Sequence, residues 1–171
     1  MKTQFEQKAK VGEAGSFVNQ LMANNSTIPV VGKGATELLY SDRRCYEVIE
    51  VSEDLKTVKL ELLDARAALG EQQIGHQNWI FEPTGQFITI VWRNNAWRKK
   101  TDYVKFTKEF KARVGEGSSY FRSLTKEQRQ AVYGDSVFPQ NVVEGITRSA
   151  VKYDRIRIIF GVRNYHYDWE F

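Results

Sequence analysis

From Val30 to about Tyr103, short runs of β-branched and aromatic residues recur at near-regular spacing, each bounded by Gly, Pro, Asn, Asp or Ser. That punctuation constrains the fold more than any other feature. It calls for several short antiparallel strands, and leaves no room there for long helices. Val30-Val31 and Leu38-Leu39-Tyr40 read as one strand bent near Gly32-Lys33-Gly34, and Ser41-Asp42-Arg43 as a turn. Cys45–Val51 and Thr57–Leu63 follow, joined through Glu53-Asp54-Leu55-Lys56. Residues 64–77 read as a loop. Asn78–Glu82 and Gln86–Arg93 read as a hairpin turned at Pro83-Thr84-Gly85. Asn94-Asn95 is a two-residue turn, because asparagine tolerates the positive φ such turns need, and it sends Trp97–Tyr103 back along Gln86–Arg93.

The chain closes in the same style. Arg155–Val162 alternates, and Tyr165, Tyr167, Trp169 and Phe171 share one face of a last strand reached across Arg163-Asn164. The prediction is a mainly β fold, a small β-barrel or strongly bent antiparallel sheet with two or three short helices. The first helix spans Ser16 to about Asn25, where Phe17, Val18, Leu21 and Met22 fall on one face. A second carries Phe106, Phe110 and Val114, spaced by four, ahead of the linker-like Gly115–Ser119. A third starts at Thr125-Lys126-Glu127-Gln128, a capping box, and carries Ala131 and Val132.

The 171 residues are expected to form a single domain: a helical lead-in over 1–29, a barrel-like part over 30–103, a helical and irregular insertion over 104–154, and closing strands over 155–171. Hydrophobic residues at 42% and charged residues at 27% exclude a disordered chain. Cys45 is the one cysteine, which excludes an intramolecular disulfide and a multi-cysteine zinc site. A reducing compartment is the simplest expectation. The polar N-terminus and the lack of any run of about 18 apolar residues predict neither a secretory signal nor a membrane helix, hence a cytoplasmic location.

Charge divides unevenly. Residues 1–91 hold 9 Lys/Arg against 12 Asp/Glu, and residues 92–171 hold 16 against 9. The basic half therefore suits an anionic partner. Its densest point is Trp92-Arg93-Asn94-Asn95-Ala96-Trp97-Arg98-Lys99-Lys100. Arg and Lys neutralise phosphates and aromatic rings stack on bases, so the candidate nucleic-acid contacts are Arg93, Trp97, Arg98, Lys99 and Lys100, with Arg155 and Arg157 behind them. The competing reading puts Trp92 and Trp97 in the core on either side of a solvated turn.

Other constellations are weaker. His166 and Asp168 share a strand face, but nothing in the spacing recruits further ligands, and a polar surface face explains them. Gly32-Lys33-Gly34-Ala35-Thr36 lacks the spacing and the following helix of a phosphate-binding loop. Ser41 and Asp42 cap a turn beside Arg43 and Arg44, and Cys45 reads as a buried structural thiol. No catalytic, metal or cofactor signature emerges, so an enzyme is the least favoured class.

The stretch from Val31 to Arg44 (V-G-K-G-A-T-E-L-L-Y-S-D-R-R), with Glu47-Val-Ile-Glu-Val-Ser, resembles a small uncharacterised family found mainly in tailed phages. The hairpin Val91–Trp97 and the ending Phe160–Asp168 are similar to that family's other recurring segments. The resemblance implies phage origin, which adds the virion to the cytoplasm as an expected location, and carries over no functional residue. The expected function is a non-enzymatic phage-type binding module that engages nucleic acid. The alternative is a virion component or an inhibitor of a host protein.

Overall fold

The computed structural model describes residues 27–68, 79–115, 122–133 and 139–165. The expected helix over Ser16–Asn25 and the residues His166, Tyr167, Asp168, Trp169 and Phe171 lie outside the described residues. Among the described residues seven strands form one antiparallel sheet: β1 (Gly34–Leu38), β2 (Arg43–Val51), β3 (Thr57–Ala67), β4 (Trp79–Arg93), β5 (Ala96–Phe106), β6 (Thr147–Arg155) and β7 (Ile158–Phe160). Their order is β6-β5-β4-β3-β2-β1-β7, so the mainly β fold forms as an open sheet and not as a closed barrel. Among the described residues two short helices, α1 (Lys108–Gly115) and α2 (Lys126–Tyr133), follow β5.

The chain divides into two compact units, one built from residues 1–100 and 153–171, the other from 101–152. In the first, the period-2 alternation of β2, β3 and β4 places Val48, Val58, Leu60 and Ile90 on one face. Cross-strand register then sets Val48 opposite Leu60 and Val58 opposite Ile90. Ala35, Tyr46, Trp97, Ile156, Ile158 and Phe160 complete this core. The turn before β3 is held by side chains: Asp54 Oδ1 accepts from Ser52 Oγ at 2.6 Å and Lys56 N at 3.0 Å, bonds that lower the Asp54 pKa.

Two expectations change here. The segment from Trp79 to Arg93 is one strand, not a hairpin. Pro83-Thr84-Gly85 forms a bulge in it, where the register against β3 shifts between Glu61 and Leu63. Proline lacks an N–H and Gly85 adopts a φ of 73°, both of which a bulge accommodates. The Glu61 carboxylate accepts from Gly85 N, and Thr84 Oγ1 donates to Leu62 O, so β3 supplies the partners that a turn would have supplied. Of the expected loop at 64–77, residues 64–67 belong to β3, and 69–77 lie outside the described residues.

The second change is at the end of the chain. Arg155–Val162 is not one strand, because pairing switches sides at Ile156-Arg157. Ile156 N donates to Trp97 O at 3.0 Å, while Arg157 O accepts from Leu38 N at 2.9 Å. β5 and β1 thus flank a single dipeptide, whose extended length is about 7 Å. The sheet must bend strongly to bring them that close.

Beyond β7 the chain turns at Gly161 and crosses β1. Thr36, fully buried, donates its hydroxyl to Val162 O and accepts from Asn164 N, both at 3.0 Å. Gly34 is required below this strap, because a Cβ there would collide with the Arg163 side chain. Arg163 in turn pairs with Glu47 at 2.8 Å, and Arg43 donates to Asn164 Oδ1 at 2.7 Å.

The second unit has its own small core of Phe110, Leu124 and Ile146, with Phe106 and Val143 against it. Phe106 ends β5 and does not begin a helix, but it stacks on Phe110 with ring centroids 4.9 Å apart. Thr107 caps α1 by accepting from Phe110 N. The capping box at α2 forms as predicted: Thr125 N donates to Gln128 Oε1 at 3.0 Å, and Gln128 N donates to Thr125 Oγ1 at 3.1 Å.

Candidate nucleic-acid interface

The interface starts from the β4–β5 turn. Asn94 and Asn95 take φ values of 53° and 56°, so the two-residue turn forms as predicted and pairs Arg93 with Ala96, Trp92 with Trp97 and Val91 with Arg98. Alternation along β5 then puts Trp97 and Lys99 on one face and Arg98 and Lys100 on the other.

Trp97 does not belong to a surface. It is 1% exposed, with its ring 5.4 Å from the rings of both Trp92 and Phe160 in edge-on contact. A base has no access to it. The physical reason is the sheet's curvature, which closes β7 over the face that a flat sheet would leave open. Trp92 is half-buried against the same core.

The cations fare differently. Arg93 and Lys100 are exposed, and Arg98 and Lys99 are half-buried. The Arg98 guanidinium spans the hairpin, donating from Nε to Arg93 O at 3.3 Å and from a terminal nitrogen to Tyr153 O at 3.5 Å. The Arg93 guanidinium lies over the Tyr153 ring, 5.0 Å from its centroid. Arg98 therefore ties the hairpin to β6, and Tyr153 gives Arg93 a platform. The ion pairs shown among the described residues, Arg66–Glu82 and Arg163–Glu47, involve none of these four cations.

Arg155 and Arg157 are half-buried and already engaged in interactions within the protein, so they are less accessible than the hairpin cations. The Arg98 bond to Tyr153 O and the Arg93–Tyr153 contact were not legible in the sequence, because Tyr153 lies far from the hairpin along the chain. An aromatic residue on the strand next to a basic hairpin was the available signal.

Burial pushes the Cys45 thiol up to about 11, with Thr36 beside it and Arg163 and Arg43 acting in the opposite direction. Burial also raises the Tyr46 phenol, and the Glu37 carboxylate that accepts its hydroxyl at 2.7 Å reinforces the shift. Burial lowers the Arg43 pKa. In the second unit an open cleft of about 970 Å³ is lined by both Asp102 and Lys111, with Pro139, Gln140 and Ser149. Among the described residues no three His, Cys, Asp or Glu side chains gather as metal ligands, and no helix is long and apolar enough to cross a membrane.

No family model matches the chain, and neither does a curated protein or a solved structure.

Proposed function

We propose that this protein is a non-enzymatic, phage-type binding module that holds nucleic acid by its phosphate backbone. The observation that carries this reading is the grouping of Arg93, Arg98, Lys99 and Lys100 around a two-residue turn, with no acid paired to them among the described residues. Cations so placed release counterions when they meet phosphates. With Trp97 in the core and Tyr153 beneath Arg93, the hairpin reads charge and shape and does not stack on bases. Binding is therefore expected to be indifferent to sequence and no weaker for duplex than for single strands.

The test is a salt series with fluorescent duplex and single-stranded DNA and RNA, comparing the protein with Arg93→Ala/Lys99→Ala/Lys100→Ala. Each lost phosphate contact removes about 0.9 from the log–log slope on duplex DNA. A shallower slope in the variant supports the reading. No binding to any probe at low salt overturns it, and protein contact, as a virion component or host-protein inhibitor, then becomes the leading function. That second reading draws on exposed apolar side chains such as Val31, 58% exposed, and Phe87, 50% exposed.

A further inference from the structure

Strand β6 ends the strand order among the described residues. A terminal strand presents a row of backbone N–H and C=O groups on its outer side, which folded proteins usually protect with proline, a bulge, a covering element or charged side chains. On β6 the described residues show only the charges, so what they face in a given pairing decides whether they guard the edge or join it. The sequence of β6, TRSAVKYDR, has neither proline nor glycine, and Arg148, Ser149, Val151, Lys152 and Asp154 are exposed along it.

We infer that β6 is a self-association strand: two copies of the chain pair their β6 strands antiparallel about a two-fold axis through Val151, joining two sheets edge to edge. Backbone geometry narrows the choices first. Along one strand the outward-pointing amides alternate, so paired residues of two identical strands must have the same parity. Every allowed register therefore centres on a residue and not between two.

Centred on Ser149 or Tyr153, only residues 147–151 or 151–155 face each other, whereas centring on Val151 pairs the whole of β6. Length therefore disfavours those two, and charge decides among the longer registers. Centred on Ala150, the pairing sets Arg148 opposite Lys152. Centred on Lys152, it sets Lys152 opposite its own copy. Both oppose like charges, which destabilises a cross-strand pair. Centred on Val151, it sets Arg148 opposite Asp154 twice, once on each side of the axis, and Val151 opposite Val151. Val151 is 43% exposed in the single chain, and this pairing would cover it. Ser149 falls opposite Tyr153 and Ala150 opposite Lys152, so no like charges meet directly. Such an isologous interface closes on itself and stops at two copies. It does not depend on the nucleic-acid reading, because it is tested without nucleic acid.

The experiment is sedimentation velocity of the full chain over a wide concentration range. The unmodified chain should form a dimer. Arg148→Asp and Asp154→Arg should each weaken it by about tenfold or more, as two attractive pairs become two repulsive ones. Together, Arg148→Asp/Asp154→Arg should restore the dimer. In parallel, Val151→Cys should yield a disulfide-linked dimer on mild oxidation, since directly opposed side chains lie within about 5 Å and Cys45 is buried away from solvent. A chain that stays monomeric throughout, a dimer indifferent to both single variants, or a Val151→Cys chain that does not cross-link overturns the proposal.

Discussion

Trp97 and Leu38 sit on β5 and β1, yet they are hydrogen-bonded to the two halves of one dipeptide: Trp97 O accepts from Ile156 N at 3.0 Å, and Leu38 N donates to Arg157 O at 2.9 Å. Ile156-Arg157 is therefore the piece of chain that holds the bent sheet together. It explains why Trp97, next to a solvated turn, is among the largest fully buried side chains.

Replacing that ring should be severe. Trp97→Ala is expected to cost about 3–5 kcal/mol, because it leaves a cavity between Trp92 and Phe160 that the curved sheet cannot collapse. Urea denaturation followed by circular dichroism measures it. A loss below about 1 kcal/mol would mean that the ring is not packed as described.

The contrast with its neighbours explains what a sequence can and cannot reveal. Asn94-Asn95 and the Thr125–Gln128 capping box are local devices whose partners lie within a few positions, and both were legible. The alternation of Val58 and Leu60 was legible for the same reason. Pro83-Thr84-Gly85 misled because the same residues suit a turn or a bulge, and the choice was made by Glu61 and Leu62 on another strand. Trp97 and Arg98 carried matching polar surroundings in sequence, but Phe160 and Tyr153, both distant, decided which was covered and which bridged. The strap over Thr36 left no local trace at all.

Arg98 and Lys100 should separate stability from binding. Arg98→Ala loses the bond to Arg93 O within the hairpin and the bond to Tyr153 O that ties the hairpin to β6, and is expected to cost about 1 kcal/mol. Lys100→Ala, exposed, should stay within about 0.5 kcal/mol of the original. Thermal melts of the two variants beside the salt series distinguish the roles.

Thr36→Val keeps the shape of the side chain and removes its hydroxyl. Val162 O and Asn164 N then lose their partner, at an expected cost of about 1–3 kcal/mol. Cys45, opposite Thr36 in the β1–β2 register, reports on it: thiol labelling of the native variant should be faster than in the original chain.

Cys45 also makes a prediction about alkali. Its thiol is pushed up to about 11 by burial, from an ordinary value of about 9. As pH rises past 9 the unfolded chain ionises first and binds fewer protons than the folded one, so stability falls until about pH 11. Denaturant midpoints on either side of pH 9 should show that fall, and Cys45→Ala should lessen it. A midpoint unchanged by pH in the original chain would refute the burial of this group.

The placement of β1 between β2 and β7 also has a kinetic side. One flank of β1 pairs with its immediate successor, while the other waits for residues more than 120 positions later, as the 126-residue span from Thr36 to Val162 records. Searching for so remote a partner slows a folding reaction, because the entropy of closing the loop is lost before any contact compensates it. During synthesis the early strands would emerge and pair long before that flank could be sealed. The interval during which Thr36 and Cys45 lie open is then set by the speed of the ribosome.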